Sequence, residues 1–146
     1  MEQGRALQVL VVDDHVLIRR VIRSILTCYS DLQIVGEARD GLEALLFVDN
    51  HRPDIVLMDI SMPQMNGIEA TTQITSHYPA TIIIGLSAKT GTVNEEAMTR
   101  AGADRLIRKE AAVDQLYDAI RDAVKKRERL GGSHRAMIHG CRHRCG

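Results

Sequence analysis

Five short strand-like runs, each followed by a segment with helical spacing, constrain this chain more than any other feature of its 146 residues. The runs are 7–12 (LQVLVV), 32–38 (LQIVGEA), 54–58 (DIVLM), 81–87 (TIIIGLS) and 104–108 (DRLIR). The longest apolar stretches lack the alternation of a half-solvated strand, so they read as strands covered on both faces. Over 15–28, Ile18, Val21, Ile22, Ile25 and Leu26 recur at the spacing of one helix face. In DGLEALLFVDN, Asp40 is placed to cap a helix and Glu43 to complete a capping box. A helix near 67–77 starts after the Asn66-Gly67 turn signal and closes before Pro79, and one near 92–101 is ended by Gly102. The last helix, 112–128, carries Val113, Leu116, Tyr117, Ile120 and Val124 on one stripe. Strands separated in this way by helices predict a parallel sheet covered on both faces, joined by right-handed crossovers.

Length and composition agree with one α/β domain. A chain of this size buries roughly 70% of the surface its unfolded form exposes, and 45% hydrophobic with 26% charged residues suits a globular protein. No apolar run approaches the roughly 18 residues of a membrane span, and the N-terminus lacks a basic start, a long apolar run and a small-residue cleavage site. A cytoplasmic location without membrane contact is expected. Cys28 in a helical pattern, with Cys141 and Cys145 in the last six residues, does not form a disulfide framework. The zero net charge hides an asymmetry: residues 1–124 hold 12 Lys/Arg against 18 Asp/Glu, and residues 125–146 hold seven against one. The basic end reads as a solvated helix tail and linker, the alternative being a nucleic-acid contact through this tail. The expected division is a folded unit over 1–130 and an unstructured basic tail over 131–146.

In an open parallel sheet, ligands bind beyond the carboxyl ends of the strands, where strand order reverses. The residues at those ends are Asp13 and Asp14, Asp59, Ser87 and Ala88, and Lys109. With a strand order of 2-1-3-4-5, the first and third strands are neighbours and three carboxylates converge. Like charges that close disfavour one another's ionisation, and a small hard cation such as Mg²⁺ resolves the conflict, being held by carboxylates and phosphate oxygens. A Lys at the same rim supplies a point charge for a phosphoryl oxygen, and a Ser hydroxyl a donor. A carboxylate is also a nucleophile able to form an aspartyl phosphate. Singly, an Asp pair, a Ser or a Lys after a strand is more often a turn, cap or solvated residue. Their coincidence on one edge of one sheet favours phosphoryl chemistry.

The segments VLVVDDHVLIRR, IVGEARDGLEAL, RPDIVLMDISMPQMNGIEAT, IIIGLSA and AGADRLIRKE, together about residues 7 to 128, resemble a response-regulator receiver domain, most closely the LuxR-type (NarL/FixJ-like) branch. The resemblance implies a flavodoxin-like (βα)5 open sheet of order 2-1-3-4-5 with helices on both faces. It implies that Asp59 is the phosphoacceptor, that Asp14 binds Mg²⁺ directly and Asp13 largely through water, and that the backbone carbonyl of Ser61 is the third protein ligand. Ser87 resembles the switch hydroxyl, Ala88 the small residue whose backbone amide stays accessible, and Lys109 the partner of the phosphoryl oxygens. The implied phosphodonor is a histidine kinase, and the implied output is transcription regulation through a domain or partner outside this chain. A homodimer is compatible with the branch, and DNA contact is expected only through a domain absent here. Receivers usually carry an aromatic residue three positions before the lysine; Leu106 stands there, after Arg105 where Gly is common, and a Leu has no ring to swing.

Two other function classes fit parts of the pattern. A haloacid-dehalogenase-like phosphatase also uses an Asp nucleophile with Mg²⁺ and Lys. It requires a second Asp two residues on, where Ser61 stands, and it puts its nucleophile on the first strand. A phosphorylation-independent interaction module would keep the acidic pocket but not the switch. The expected class is therefore a phosphoacceptor that assists its own phosphorylation and dephosphorylation rather than an enzyme acting on separate substrates. In the tail, His139, Cys141, His143 and Cys145, with His134 nearby, are zinc-type ligands; the four stand at alternate positions, without the paired spacing of zinc sites, and are expected to bind metal only adventitiously.

Overall fold

The computed structural model describes residues 5–60, 62, 65–88 and 92–131. Strands β1 (Leu7–Val12), β2 (Leu32–Ala38), β3 (Ile55–Asp59), β4 (Ile82–Ser87) and β5 (Arg105–Arg108) alternate with helices α1 (Val16–Leu26), α2 (Gly41–His51), α3 (Gly67–His77), α4 (Thr92–Ala101) and α5 (Ala112–Gly131). A single 3₁₀ turn, Lys109–Ala111, joins β5 to α5. All strand pairs are parallel, as the alternation predicts, and the sheet order is β2-β1-β3-β4-β5, as the family resemblance implies. Reversal of direction occurs between β1 and β3, where Val12 pairs with Met58.

The apolar runs are strands because both faces of the sheet are dry. Every residue of β3 is buried, and its side chains alternate between two cores. Ile55 and Leu57 join Val9, Val11, Ile82 and Ile84 beneath α1 and α5. Val56 and Met58 join Leu10, Val12 and Ile83 beneath α2, α3 and α4. The edge strands β2 and β5 keep exposed positions, as one open side requires.

Several local expectations need correction. In α1, Ile22 and Leu26 are buried, but Val21 is 47% exposed, because it lies one helical step off the stripe facing the sheet. Helix α1 ends at Leu26 with Thr27 as its cap, so Cys28 lies beyond the helix and is exposed. In α5, Val113 is 67% exposed; the sheet-facing stripe runs through Ala112, Leu116, Ala119, Ile120, Ala123 and Val124. Small alanines fill positions where the long helix lies close to β-strands, and a pattern of large apolar residues does not register them. Asp40 caps α2 by accepting from the Glu43 backbone N–H at 2.9 Å, but the Glu43 carboxylate accepts from the Arg39 N–H at 2.7 Å, one residue earlier than a capping box requires. The reciprocal box forms instead on α3. There Asn66 accepts from the Glu69 N–H at 2.9 Å, and Glu69 accepts from the Asn66 N–H at 3.2 Å.

Two glycines are dictated by the backbone. Gly102 ends α4 at φ +117°, a region that L side chains rarely adopt. Gly67 brings the first turn of α3 against the tip of β3. Its N–H donates to the Ile60 carbonyl at 2.8 Å, and a Cβ there would stand 2.1 Å from the Asp59 carbonyl oxygen. The Asn66-Gly67 pair therefore caps a helix and allows it to approach the residue that matters most at the sheet edge.

Candidate functional site

The carboxyl ends of β1, β3, β4 and β5 surround a pocket of about 340 Å³, whose lining includes His15, Asp59, Ser87, Ala88, Asn94 and Lys109. Asp59 is the last residue of β3 and only 2% exposed. Asp13 follows β1 and is fully buried; its own N–H continues the β1–β2 ladder by donating to the Ala38 carbonyl at 3.0 Å. The Asp13 carboxylate also accepts from the His15 backbone N–H at 2.9 Å, which closes a tight turn and sets the direction in which α1 leaves. Asp14, next in sequence, is exposed at the mouth.

Lys109 reaches back from the turn after β5. Its ammonium lies 2.7 Å from Asp13 Oδ2 and 3.2 Å from Asp59 Oδ1, so one cation bridges two carboxylates from neighbouring strands. Burial, reinforced by the Asp13 charge and only partly countered by Lys109, pushes the Asp59 carboxyl up to about 6. Burial also disfavours the Lys109 ammonium, but Asp13 and Asp59 outweigh it and hold its pKa above the ordinary lysine value. A carboxyl perturbed by burial and a specific charge partner in a cleft is a functional-site candidate.

The six sequence-derived positions that the structure describes converge here. Asp13, Asp14 and Asp59 cluster, Lys109 bridges two of them, and Ser87 and Ala88 form the β4 side of the pocket, with Ser87 buried and Ala88 exposed. Ser61 lies outside the described residues, as do the tail positions His134, His139, Cys141, His143 and Cys145. One ligand atom from each of Asp13, Asp14, His15 and Asp59 lies within 4.8 Å of all the others. Three carboxylates against one ammonium leave the cluster net negative, and hard oxygen donors so close together suit a divalent cation.

Three neighbours of the site are not marked by position at a strand end. His15 directly follows the acidic pair, and its Nδ1 lies 3.2 Å from Asp13 Oδ1 and 3.1 Å from Asp14 Oδ1. Asn94 enters the pocket wall from α4. Arg19, one turn into α1, donates to the Asp13 carbonyl at 2.6 Å and to Glu37 on β2 at 2.9 Å, which fixes the main chain behind the buried carboxylate. Only the adjacency of His15 to the acidic pair was visible in the sequence. Leu106, half-buried, packs against the α2–α4 core and lines a separate hollow with Glu95, Glu96, Thr99 and Arg100.

A family model described as the response regulator receiver domain matches residues 9–121. The protein-glutamate methylesterase/protein-glutamine glutaminase of Pyrococcus horikoshii is 40% identical over 105 residues, covering 72% of this chain and 26% of that protein. Transcriptional regulatory protein DegU of Brevibacillus brevis is 32% identical over 115 residues, covering 79% of this chain and 49% of that protein. This chain thus spans about a quarter of the first relative and about half of the second. Among solved structures, the signal receiver domain of the putative response regulator NarL from Mycobacterium tuberculosis superposes with a TM-score of 0.78 at 29% identity, over 83% of this chain and 98% of that one.

Proposed function

The chain belongs to the response-regulator receiver family, and from that premise we propose that it accepts a phosphoryl group on Asp59 from a histidine kinase and switches conformation to control an output. The observation that carries the reading is the placement of the Asp59 carboxylate: buried at a strand tip, 3.2 Å from the Lys109 ammonium, and lining an open pocket. An Asp59 oxygen attacks phosphorus while the bond from phosphorus to the kinase histidine nitrogen breaks. The histidine leaves with the electron pair, and an aspartyl phosphate remains. Lys109, already held between Asp13 and Asp59, takes charge from the phosphoryl oxygens. Ser87 supplies a hydroxyl donor from the end of β4, and the exposed Ala88 leaves its backbone amide open to the incoming group.

The acidic cluster fits Mg²⁺, because its donors are carboxylate oxygens in net excess over the single lysine. Asp13, Asp14 and Asp59 would hold the ion, with the backbone carbonyl of Ser61 as the further protein ligand. When bound, the ion supplies charge neutralisation for the phosphoryl oxygens. Arg19 and the His15 turn keep the Asp13 main chain in place while charge redistributes.

Residues 1–130 act as the receiver unit in this reading, and output, transcription regulation above all, passes through a domain or partner outside these residues. The test is incubation of the full chain with millimolar Mg²⁺ and acetyl phosphate. Wild type gains one acid-stable, base-labile phosphoryl group and Asp59→Asn gains none; an unmodified wild type defeats the reading. Leu106 supports a second reading, a phosphorylation-independent interaction module, because it has no ring to carry the switch. Phosphorylation that alters neither oligomeric state nor partner affinity would favour it.

A further inference from the structure

His15 stands where a fourth side-chain ligand would stand. Its Nδ1 is 3.2 Å from Asp13 Oδ1 and 3.1 Å from Asp14 Oδ1, and it belongs to the set of four donors within 4.8 Å of one another. In an octahedral set with bonds near 2.1 Å, adjacent donors lie about 3.0 Å apart and opposite donors about 4.2 Å apart. The imidazole nitrogen is therefore spaced like a neighbouring vertex to both carboxylates. The placement is backed by the main chain, since the His15 N–H is bonded to Asp13 Oδ1 at 2.9 Å and Arg19 holds the Asp13 carbonyl at 2.6 Å. The ring itself lines the pocket, and its side chain is 66% exposed.

We propose that His15 makes this pocket a mixed oxygen–nitrogen site, one that favours first-row transition ions such as Mn²⁺ and Co²⁺ over Mg²⁺ more strongly than its carboxylates alone would. This rests on the reading of the pocket as a cation site. A neutral imidazole adds little to the binding of Mg²⁺, which prefers oxygen and gives up water reluctantly. It adds progressively more along the series from Mn²⁺ through Co²⁺ to Ni²⁺. His15 then sets which divalent ion occupies the site when several compete.

The alternative role is a hydrogen bond, with protonated Nδ1 bridging two carboxylates. That role would alter the affinities for all divalent ions together, whereas a ligand role alters their ratio. The experiment titrates the full chain with CoCl₂, follows the visible absorption of bound Co²⁺, and displaces it with MgCl₂. Only the Mg²⁺-displaceable signal counts, because the His/Cys tail offers other ligands. Loss of the imidazole in His15→Ala lowers Co²⁺ affinity about tenfold or more, at least what losing a partner behind a metal ligand costs, with a much smaller change for Mg²⁺. His15→Asn, which keeps a hydrogen-bond donor, behaves like His15→Ala. If wild type shows no Mg²⁺-displaceable Co²⁺, the cation reading of the pocket falls. If it does, but either variant keeps the wild-type Co²⁺-to-Mg²⁺ ratio, His15 is no ligand and only this inference falls.

Discussion

Carboxylates lie close to or beneath the surface at both ends of the sheet, and the two ends treat them in opposite ways. At the amino end, the carboxylates that precede β2, β3 and β5 are matched. Asp104 receives Arg127 through both oxygens, at 2.8 and 3.2 Å, and also accepts from the Ile83 N–H at 2.9 Å. The same guanidinium donates to the Pro79 and Thr81 carbonyls at 2.6 and 3.0 Å. Asp31 takes the Tyr117 hydroxyl at 2.6 Å, with Arg121 at 3.5 Å, and Asp54 takes the Gln8 N–H at 2.8 Å. At the carboxyl end, three carboxylates cluster about one lysine that reaches only Asp13 and Asp59, and Asp59 is driven toward its neutral form. Matched charges fasten α5 and the strand starts; surplus charge keeps a site that gains from a cation and a phosphoryl group.

That contrast can be broken experimentally at either end. The largest stability change is expected from Arg127→Ala, which strands Asp104 and two carbonyls. Urea denaturation should show a loss of about 3 kcal/mol, with phosphorylation from acetyl phosphate retained. Saturating the other end should do the reverse. Mg²⁺ at a hundredfold over its dissociation constant stabilises by about 2.7 kcal/mol, read as a rise in Tm that EDTA reverses and Asp59→Asn diminishes. Without metal, Asp59→Asn should itself raise stability at pH 7 by about 2 kcal/mol, because it removes one of three like charges from a buried position.

The pH dependence sharpens the same point. Asp59 has a folded-state pKa of about 6 against an ordinary 3.8, so between these values the folded chain binds more protons than the unfolded one. Its contribution therefore favours folding at low pH and is lost as pH rises from about 4 to about 6. Metal-free denaturation midpoints of wild type, compared with Asp59→Asn across that window, should converge toward the acid side. The smallest effect is expected from Tyr117→Phe, which loses one charge-assisted hydrogen bond at the amino end. It should cost about 1.5 kcal/mol and leave the metal-bound Tm increment unchanged.

Much of the fold was legible because the sheet is dry on both faces. A strand such as Ile55–Met58, apolar at every position, has few other places to go, and the five runs coincide with the observed strands to within about a residue. The site was legible for the same reason. Polar residues at the ends of such runs, Asp13, Asp59, Ser87 and Lys109, are forced onto one edge once the order is β2-β1-β3-β4-β5. Val21 and Val113 were misplaced because residue type alone does not tell an apolar side chain at the edge of a stripe from one within it.

By itself, then, the sequence determined the order of elements, the edge on which chemistry gathers and the residues brought there, through hydrophobic period and strand-end position. Tertiary structure decided how the charges share partners. Lys109 divides between Asp13 and Asp59, His15 turns back on the acidic pair, and Arg127 joins residues up to 48 positions away. Such pairings depend on distances of a few ångströms between segments remote in the chain. No local pattern encodes those distances, and they become fixed only when the helices pack on the sheet.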